Sequence, residues 1–369
     1  MNAKLVVKLL AILSVIICAF MLIPAAMAFW FGERAALAAF LKTIAGGVFF
    51  SAAAYVLSSD NDSAGSLRTR DSFLFVTLSW VLASAIGALP YYLSGAMPSM
   101  ADAYFETMSG FTTTGASILT DIEKIPDSLL FWRALTHWLG GMGIVVLAVA
   151  ILPFLGVGGL QLIDAEAPGP SVDKLTPRIA QTAKLLWFIY MGMTACQVIL
   201  LMLGGMSLFD SLIHTFATVA TGGFSNKNLS VAHYNSAYID GVITVFMLLA
   251  GMNFSLHYRL ISGSALSVLK DVELRAYLAI FLTAALIITF NLYFSDYGEI
   301  TKCFRYSSFQ VASLLTTTGA ITADYEKWPY ASQFVLFMLF FVGGCAGSTG
   351  GGIKVIRLVT MLKQAVNEM

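Results

Sequence analysis

Leu315-Thr316-Thr317-Thr318-Gly319-Ala320-Ile321-Thr322 closes a short apolar segment and precedes a long one. Two other stretches repeat it. Phe111-Thr112-Thr113-Thr114-Gly115-Ala116-Ser117 lies upstream, and Thr218-Val219-Ala220-Thr221-Gly222-Gly223-Phe224-Ser225 lies between the two. Aligned on their Thr-Gly steps, at Gly115, Gly222 and Gly319, the copies recur roughly every 100 residues, the mark of a repeat architecture. Each copy has the same order: an apolar span, a short helix, a Thr-Gly loop and a second span.

The composition around these loops fixes the solvent. Of 369 residues, 58% are apolar and 11% charged, where a soluble domain carries about 25% charged residues. The apolar residues fall in runs near the 20 or so that cross a bilayer as helix. Eight crossings are expected: Leu5–Phe31, Ala35–Leu57, Ser72–Leu93, Leu129–Leu155, Ile179–Leu203, Ser236–Tyr258, Ala276–Phe294 and Ala331–Val366. The first resembles a signal peptide up to Ala28, but its apolar run continues through Phe31, and it reads as a retained helix. The basic residues gather on one side, including Lys4, Lys8, Arg68, Arg70, Lys174, Arg178, Arg259 and Lys270, which predicts that side, and both termini, to be cytoplasmic.

Met100–Ser117, Leu208–Ser225 and Cys303–Ile321 are too short or too polar to cross, yet they hold Phe105, Phe111, Phe216, Phe304 and Phe309. They read as re-entrant segments entering from the outer side. Irregular backbone at membrane depth persists only where protein buries it or where it lines a watery cavity. The fold class is therefore all-α integral membrane: span–pore-helix–filter-loop–span units around a pore, with two extra N-terminal helices. The divisions expected are residues 1–70 for the extension and 71–160, 161–260 and 261–369 for three pore repeats.

The loop chemistry suits a potassium filter. A dehydrated potassium ion needs oxygen ligands in place of its water shell, and backbone carbonyls can supply them. Glycine tolerates the positive φ such a loop requires, and threonine adds a stiff β-branched side chain. A short helix ahead of each loop aims the negative end of its dipole at the cation. The expected filter residues are Thr112, Thr113, Thr114 and Gly115; Val219, Ala220, Thr221 and Gly222; and Thr316, Thr317, Thr318 and Gly319.

A second glycine-rich stretch interrupts the eighth span. Gly343, Gly344, Gly347, Gly350, Gly351 and Gly352 surround Cys345, Ala346, Ser348 and Thr349, just ahead of Lys354. Each helical glycine costs about 1 kcal/mol relative to alanine, so a flexible intramembrane loop is expected, placed to block or open the path. Gly140-Gly141-Met142-Gly143 instead reads as close helix packing through small residues.

Other classes find little support. Net charge is zero, which gives no bulk electrostatic case for nucleic acid. Cys18, Cys196, Cys303 and Cys345 form no CxxC pair and the four histidines are scattered, so neither a zinc site nor a disulfide framework is suggested. No nucleophile–base pair or phosphate-binding motif points to an enzyme. A secondary transporter would bury ionisable coupling residues in its spans, and few are present. The connector Gly156–Lys184, with Asp164 and Glu166, reads as a solvated loop or a docking surface.

Phe131-Trp132-Arg133-Ala134-Leu135-Thr136-His137-Trp138-Leu139-Gly140-Gly141-Met142-Gly143-Ile144, the three loops and Gly343–Lys354 together resemble the Trk/Ktr/HKT superfamily of potassium transport proteins, in its TrkH-type branch. The resemblance covers nearly the whole chain. It implies potassium uptake across a bacterial inner membrane through a filter-lined pore, with potassium as substrate and no bound cofactor. It implies a homodimer, and a cytoplasmic TrkA-type regulatory subunit on which any nucleotide would sit. It also implies that the Gly343–Gly352 stretch is a gating loop. The superfamily has four repeats and three are found here, so the fourth is expected to be absent, and the alternative is a truncated, non-conducting assembly or regulatory fragment.

Overall fold

The computed structural model describes residues 3–58, 69–141, 143 and 179–368. Among them the chain is helical, and one isolated bridge, Val342 to Ile353, is the sole β pairing. It divides into two compact units: Met1–Ala167 with Thr176–Lys184, and Pro168–Leu175 with Leu185–Met369.

In the first unit, α1 (Ala3–Trp30), α2 (Arg34–Leu57) and α3 (Thr69–Ser94) are long and apolar. They pack on one another and around α4 (Met100–Phe111) and α5 (Asp127–Gly141). Pro24 and Pro90 lie within α1 and α3. Glu33 reaches from the α1–α2 turn to the start of α5, where its carboxylate accepts the Asp127 and Ser128 amides at 2.8 and 3.2 Å and the Ser128 hydroxyl. An anion there satisfies donors that a helix leaves open and complements its dipole. The buried Trp132 donates its indole N–H to the Gly87 carbonyl at 3.0 Å, tying α5 to α3.

The helix α6 (Ile179–Leu203) leads into the second unit. There, α7 (Leu208–Val219), α8 (Ala237–Ala250), α9 (Phe254–Ile261), α10 (Ala265–Leu269), α11 (Val272–Phe294), α12 (Ile300–Leu315), α13 (Tyr330–Leu339) and α14 (Val355–Glu368) follow. The central packing is α11 on α12, with α8 and α13 against α12. Tyr277, Ile288, Phe309 and Leu315 are buried in that core. Asp240 of α8 pairs with Arg305 of α12 at 2.7 Å.

Five described helices are long and apolar enough to cross a membrane, six if the pair α8–α9 counts as one span. Many large apolar side chains on them are exposed, including Phe49, Phe50, Leu203 and Phe294, as lipid-facing surfaces require. The protein is thus a multi-pass membrane protein. One of the eight expected crossings differs. The sixth is not one helix: α8 and α9 meet at 100°. Asn253 starts α9 by accepting the Ser255 amide at 2.8 Å, and the Gly251 carbonyl is taken by the Cys345 amide at 2.8 Å. The eighth is split into α13 and α14, as the glycines predict. The fourth, expected over Leu129–Leu155, is described as helix only to Gly141, and its remainder lies outside the described residues, as does most of the Gly156–Lys184 connector.

Gly140 explains the glycine cluster of α5. A Cβ there would stand 1.8 Å from the Phe111 carbonyl oxygen, so α5 passes the end of α4 at a distance that only glycine permits.

Candidate functional site

The helices α4, α7 and α12 end at Phe111, Val219 and Leu315, immediately before the three loops. Ser99 and Ser207 cap the first two, accepting the Asp102 and Asp210 amides. The loops then turn the same way. Thr113, Thr221 and Thr317 have φ of 53°, 54° and 58°, and Gly115, Gly223 and Gly319 have φ of 74°, 81° and 78°. A β-branched residue in the left-handed region is a strained outlier. Three at one position of a repeat mark a backbone that the surrounding structure imposes.

Hydrogen bonding repeats with the same register. Thr114 donates its amide to Ser109 at 2.9 Å, Gly222 to Ala217 at 2.8 Å and Thr318 to Ser313 at 2.8 Å. One residue earlier, Thr113, Thr221 and Thr317 donate to Gly110, Thr218 and Leu314. Gly223 and Gly319 add a second donor to Ala217 and Ser313, each at 3.3 Å. The peptide unit is planar and trans here, so the carbonyl preceding each of these amides points the opposite way. The carbonyls of Thr112, Thr113, Ala220, Thr221, Gly222, Thr316, Thr317 and Thr318 are thereby turned away from the ends of their own helices. A run of carbonyls facing out from a helix C-terminus is what a desolvated cation needs.

This register corrects the alignment of the second loop. The sequence places Gly222 with Gly115 and Gly319, whereas the backbone places Gly223 there and makes Ala220–Gly223 the counterpart of Thr112–Gly115 and Thr316–Gly319. Two adjacent glycines leave the sequence ambiguous, and the sign of φ resolves it. The same shift accounts for a difference in hydroxyl bonding. Thr112 and Thr114 bond each other at 2.8 Å, as do Thr316 and Thr318, and the first of each pair also donates to the helix. The second loop has Ala220 and Gly222 at those positions, and Thr221 instead donates to the Ala220 carbonyl at 2.7 Å.

The second and third loops touch. A Cβ on Gly223 would lie 1.9 Å from the Thr318 carbonyl oxygen. The glycine-rich segment after α13 packs on both. Thr349 donates its hydroxyl to the carbonyls of Val219 at 3.1 Å or Ala250 at 3.2 Å, and Gly351 donates its amide to the Thr317 hydroxyl at 2.7 Å. The segment was expected to be a flexible loop, but it is pinned throughout. Gly343 and Ile353 bond across its neck at 2.9 Å, the Phe254 amide meets the Gly347 carbonyl at 3.0 Å, Ser348 donates to Cys345 at 2.6 Å, and the buried Lys354 ammonium meets the Gly350 carbonyl. A Cβ at Gly343 would sit 2.0 Å from the Gly351 carbonyl oxygen, and Gly344 and Gly352 are also crowded. Several of these glycines therefore serve close approach within a folded loop.

Two buried carboxylates support this architecture. Glu106, buried in α4, accepts the Ser117 hydroxyl at 2.8 Å and the Ile118 amide at 3.1 Å, and pairs with Arg133 of α5 at 2.6 Å. Both side chains are almost inaccessible, at 0% and 3%. The carboxylate braces the chain just beyond Gly115. In the third repeat Gln310 holds the equivalent position and reaches the Thr322 amide at 3.5 Å. In the second, Asp210 takes over by accepting from Asn226 at 2.6 Å. The second carboxylate is Glu273, at the start of α11, which accepts the amides of Ala346 and Ile356.

Among the described residues, no group of His, Cys, Asp and Glu side chains could hold a resident metal ion, and the four cysteines are free.

Comparison with known proteins agrees with this architecture. The family described as TrkH, cation transport protein, matches residues 38–369. The Trk system potassium uptake protein TrkH of Escherichia coli K12 is 40% identical over 376 residues, covering all of this chain and 77% of that protein. The Trk system potassium uptake protein TrkG of the same organism is 36% identical over 95% of this chain and 72% of its own length. Among solved structures, the potassium transporter TrkH from Vibrio parahaemolyticus superposes with a TM-score of 0.86 at 35% identity, over the whole of this chain and 76% of that one.

Proposed function

We propose that this chain, which belongs to the TrkH family of cation transport proteins, carries potassium into the cell along a path lined by its three Thr-Gly loops. The ligands would be the backbone carbonyls of Thr112–Gly115, Ala220–Gly223 and Thr316–Gly319. The ion sheds water as it enters, and the carbonyls replace that shell. The observation that carries this reading is the threefold recurrence of one strained backbone: a threonine and a glycine at positive φ, with the amides folded back on the helix end and the carbonyls turned outward.

The Gly343–Gly352 loop would be the gate. Its hydroxyl and amide bonds to Val219 and Thr317 place it against two of the three loops, so an ion leaving them would meet it. We further propose that the chain works as a homodimer in the inner membrane, with both termini cytoplasmic, and that a nucleotide-binding TrkA-type subunit sets the position of the gate. The names of the relatives, which specify a Trk system, support a multi-component assembly.

The test is ion preference. Replacing Gly319 with serine puts a side chain on a residue at φ 78°, which serine resists. Rubidium uptake should fall relative to sodium uptake in cells deprived of their own potassium systems. An unchanged ratio in a properly inserted variant would remove the third loop from the path.

A further inference from the structure

Two side chains hold the Gly343–Gly352 loop from outside: the Thr317 hydroxyl, which accepts the Gly351 amide, and the Glu273 carboxylate. Glu273 stands in the first turn of α11 and is 8% exposed. A single carboxylate oxygen, Oε1, accepts the Ala346 amide at 2.8 Å and the Ile356 amide at 3.0 Å. Ala346 lies within the loop, and Ile356 lies beyond it in the first turn of α14. Both contacts are charge-assisted, the stronger class of hydrogen bond. Between these points the chain makes the bonds to Val219, Ala250 and Thr317 that seat it on the second and third loops. The bonds across the neck, Gly343 to Ile353 and Val355 to Gly344, draw the same two strands together but anchor them to nothing else. Glu273 ties that neck to α11, and the Cys345 amide ties it to the Gly251 carbonyl at the end of α8.

We propose that Glu273 is the latch of this loop. Its carboxylate fixes both ends against α11, and withdrawing it lets the loop leave the Val219 and Thr317 contacts. This rests on the reading of the loop as a gate only for its effect on ion flow. The latch itself is a statement about the loop, and the loop carries its own reporter. Cys345, beside Ala346, is fully buried, while Cys196 is the exposed cysteine and Cys303 is buried in α12, away from the loop. A thiol reagent reaches Cys345 only if the loop opens.

The experiment is N-ethylmaleimide labelling of the full chain in membrane vesicles, in a Cys196→Ser background, read by peptide mass spectrometry at Cys345 and Cys303. Glu273→Ala should accelerate Cys345 labelling about tenfold or more, since two charge-assisted bonds are lost, with Cys303 unchanged. Glu273→Gln keeps an acceptor oxygen of the same reach and should restore most of the protection. Ile356→Pro deletes one of the two donors at a first-turn position that tolerates proline. It should give a smaller acceleration, and it answers the question alone if Glu273→Ala fails to insert. Unchanged Cys345 labelling, or equal acceleration at Cys303, overturns the latch. Rubidium uptake by the same variants separates the two ideas: faster labelling with unaltered uptake keeps the latch and removes the gate.

Discussion

Gly222→Ala and Gly223→Ala differ by one position, and the structure assigns them opposite outcomes. Gly223 sits at φ 81°, and a Cβ there would lie 1.9 Å from the Thr318 carbonyl oxygen, where real Cβ contacts stay beyond 3.0 Å. Alanine in the left-handed region costs roughly 1–2 kcal/mol on backbone grounds alone, a factor of about 5–30 in a conformational equilibrium. The clash adds to this, because its partner is a main-chain atom that cannot rotate aside, and relief requires the third loop to retreat. Thr318 is one of the residues whose carbonyl would bind the ion, so that retreat opens the ligand ring. Gly222 is not among the residues at positive φ and carries no such backbone penalty. The assay is the initial rate of rubidium uptake, normalised to the amount of protein in the membrane, with sodium as competitor. Gly223→Ala should lose at least about tenfold in uptake and much of its discrimination, and Gly222→Ala should stay closer to the parent. If Gly222→Ala proves the more damaging, the register argued from φ is wrong.

Arg133→Met should destabilise the protein by about 3–5 kcal/mol, because it strands the Glu106 carboxylate in the interior, and adding Glu106→Gln should recover a good part of that loss; thermal unfolding in detergent across the double-mutant cycle measures it, and additive losses would show that the pair is not coupled. Gly140→Ala drives a methyl into the Phe111 carbonyl, so the variant should show early proteolysis and poor accumulation in the membrane; normal accumulation would mean that α4 and α5 can separate. Thr349→Val removes the hydroxyl that meets the Val219 and Ala250 carbonyls, and resting rubidium leak should rise several-fold with little loss of thermal stability, as one hydrogen bond contributes only about 1 kcal/mol; unaltered leak would make that contact incidental to gating.

Much of this was legible in the sequence. Apolar runs locate the long helices, and the partly apolar segments at 100–117, 208–225 and 303–321 mark the re-entrant helices, because both signals depend on local composition. The interruption of the eighth span was visible for the same reason. What stayed hidden depends on tertiary contact. The bend between Ala250 and Phe254 rests on a cap by Asn253 and on a carbonyl that Cys345 occupies from far along the chain. The order within the glycine-rich segment comes from partners on α7, α8, α9 and α11 and on the third loop, so glycine content suggested looseness where the chain is fixed. The bonding of Glu106 and Glu273 was hidden because their partners lie 11 to 27 and 73 or more positions away. The register of the second loop was undecidable by residue type, because Gly222 and Gly223 are chemically identical.

The most direct test of the central claim is rubidium uptake in cells stripped of their own potassium systems, with this chain compared against its Gly115→Ser, Gly223→Ser and Gly319→Ser variants at matched membrane levels. The account predicts saturable uptake by the parent that outlasts excess sodium, and a loss of that preference in each variant. Parent uptake whose ion preference is the same in all three variants would contradict it, because the Thr-Gly loops would then not be where the ion is chosen.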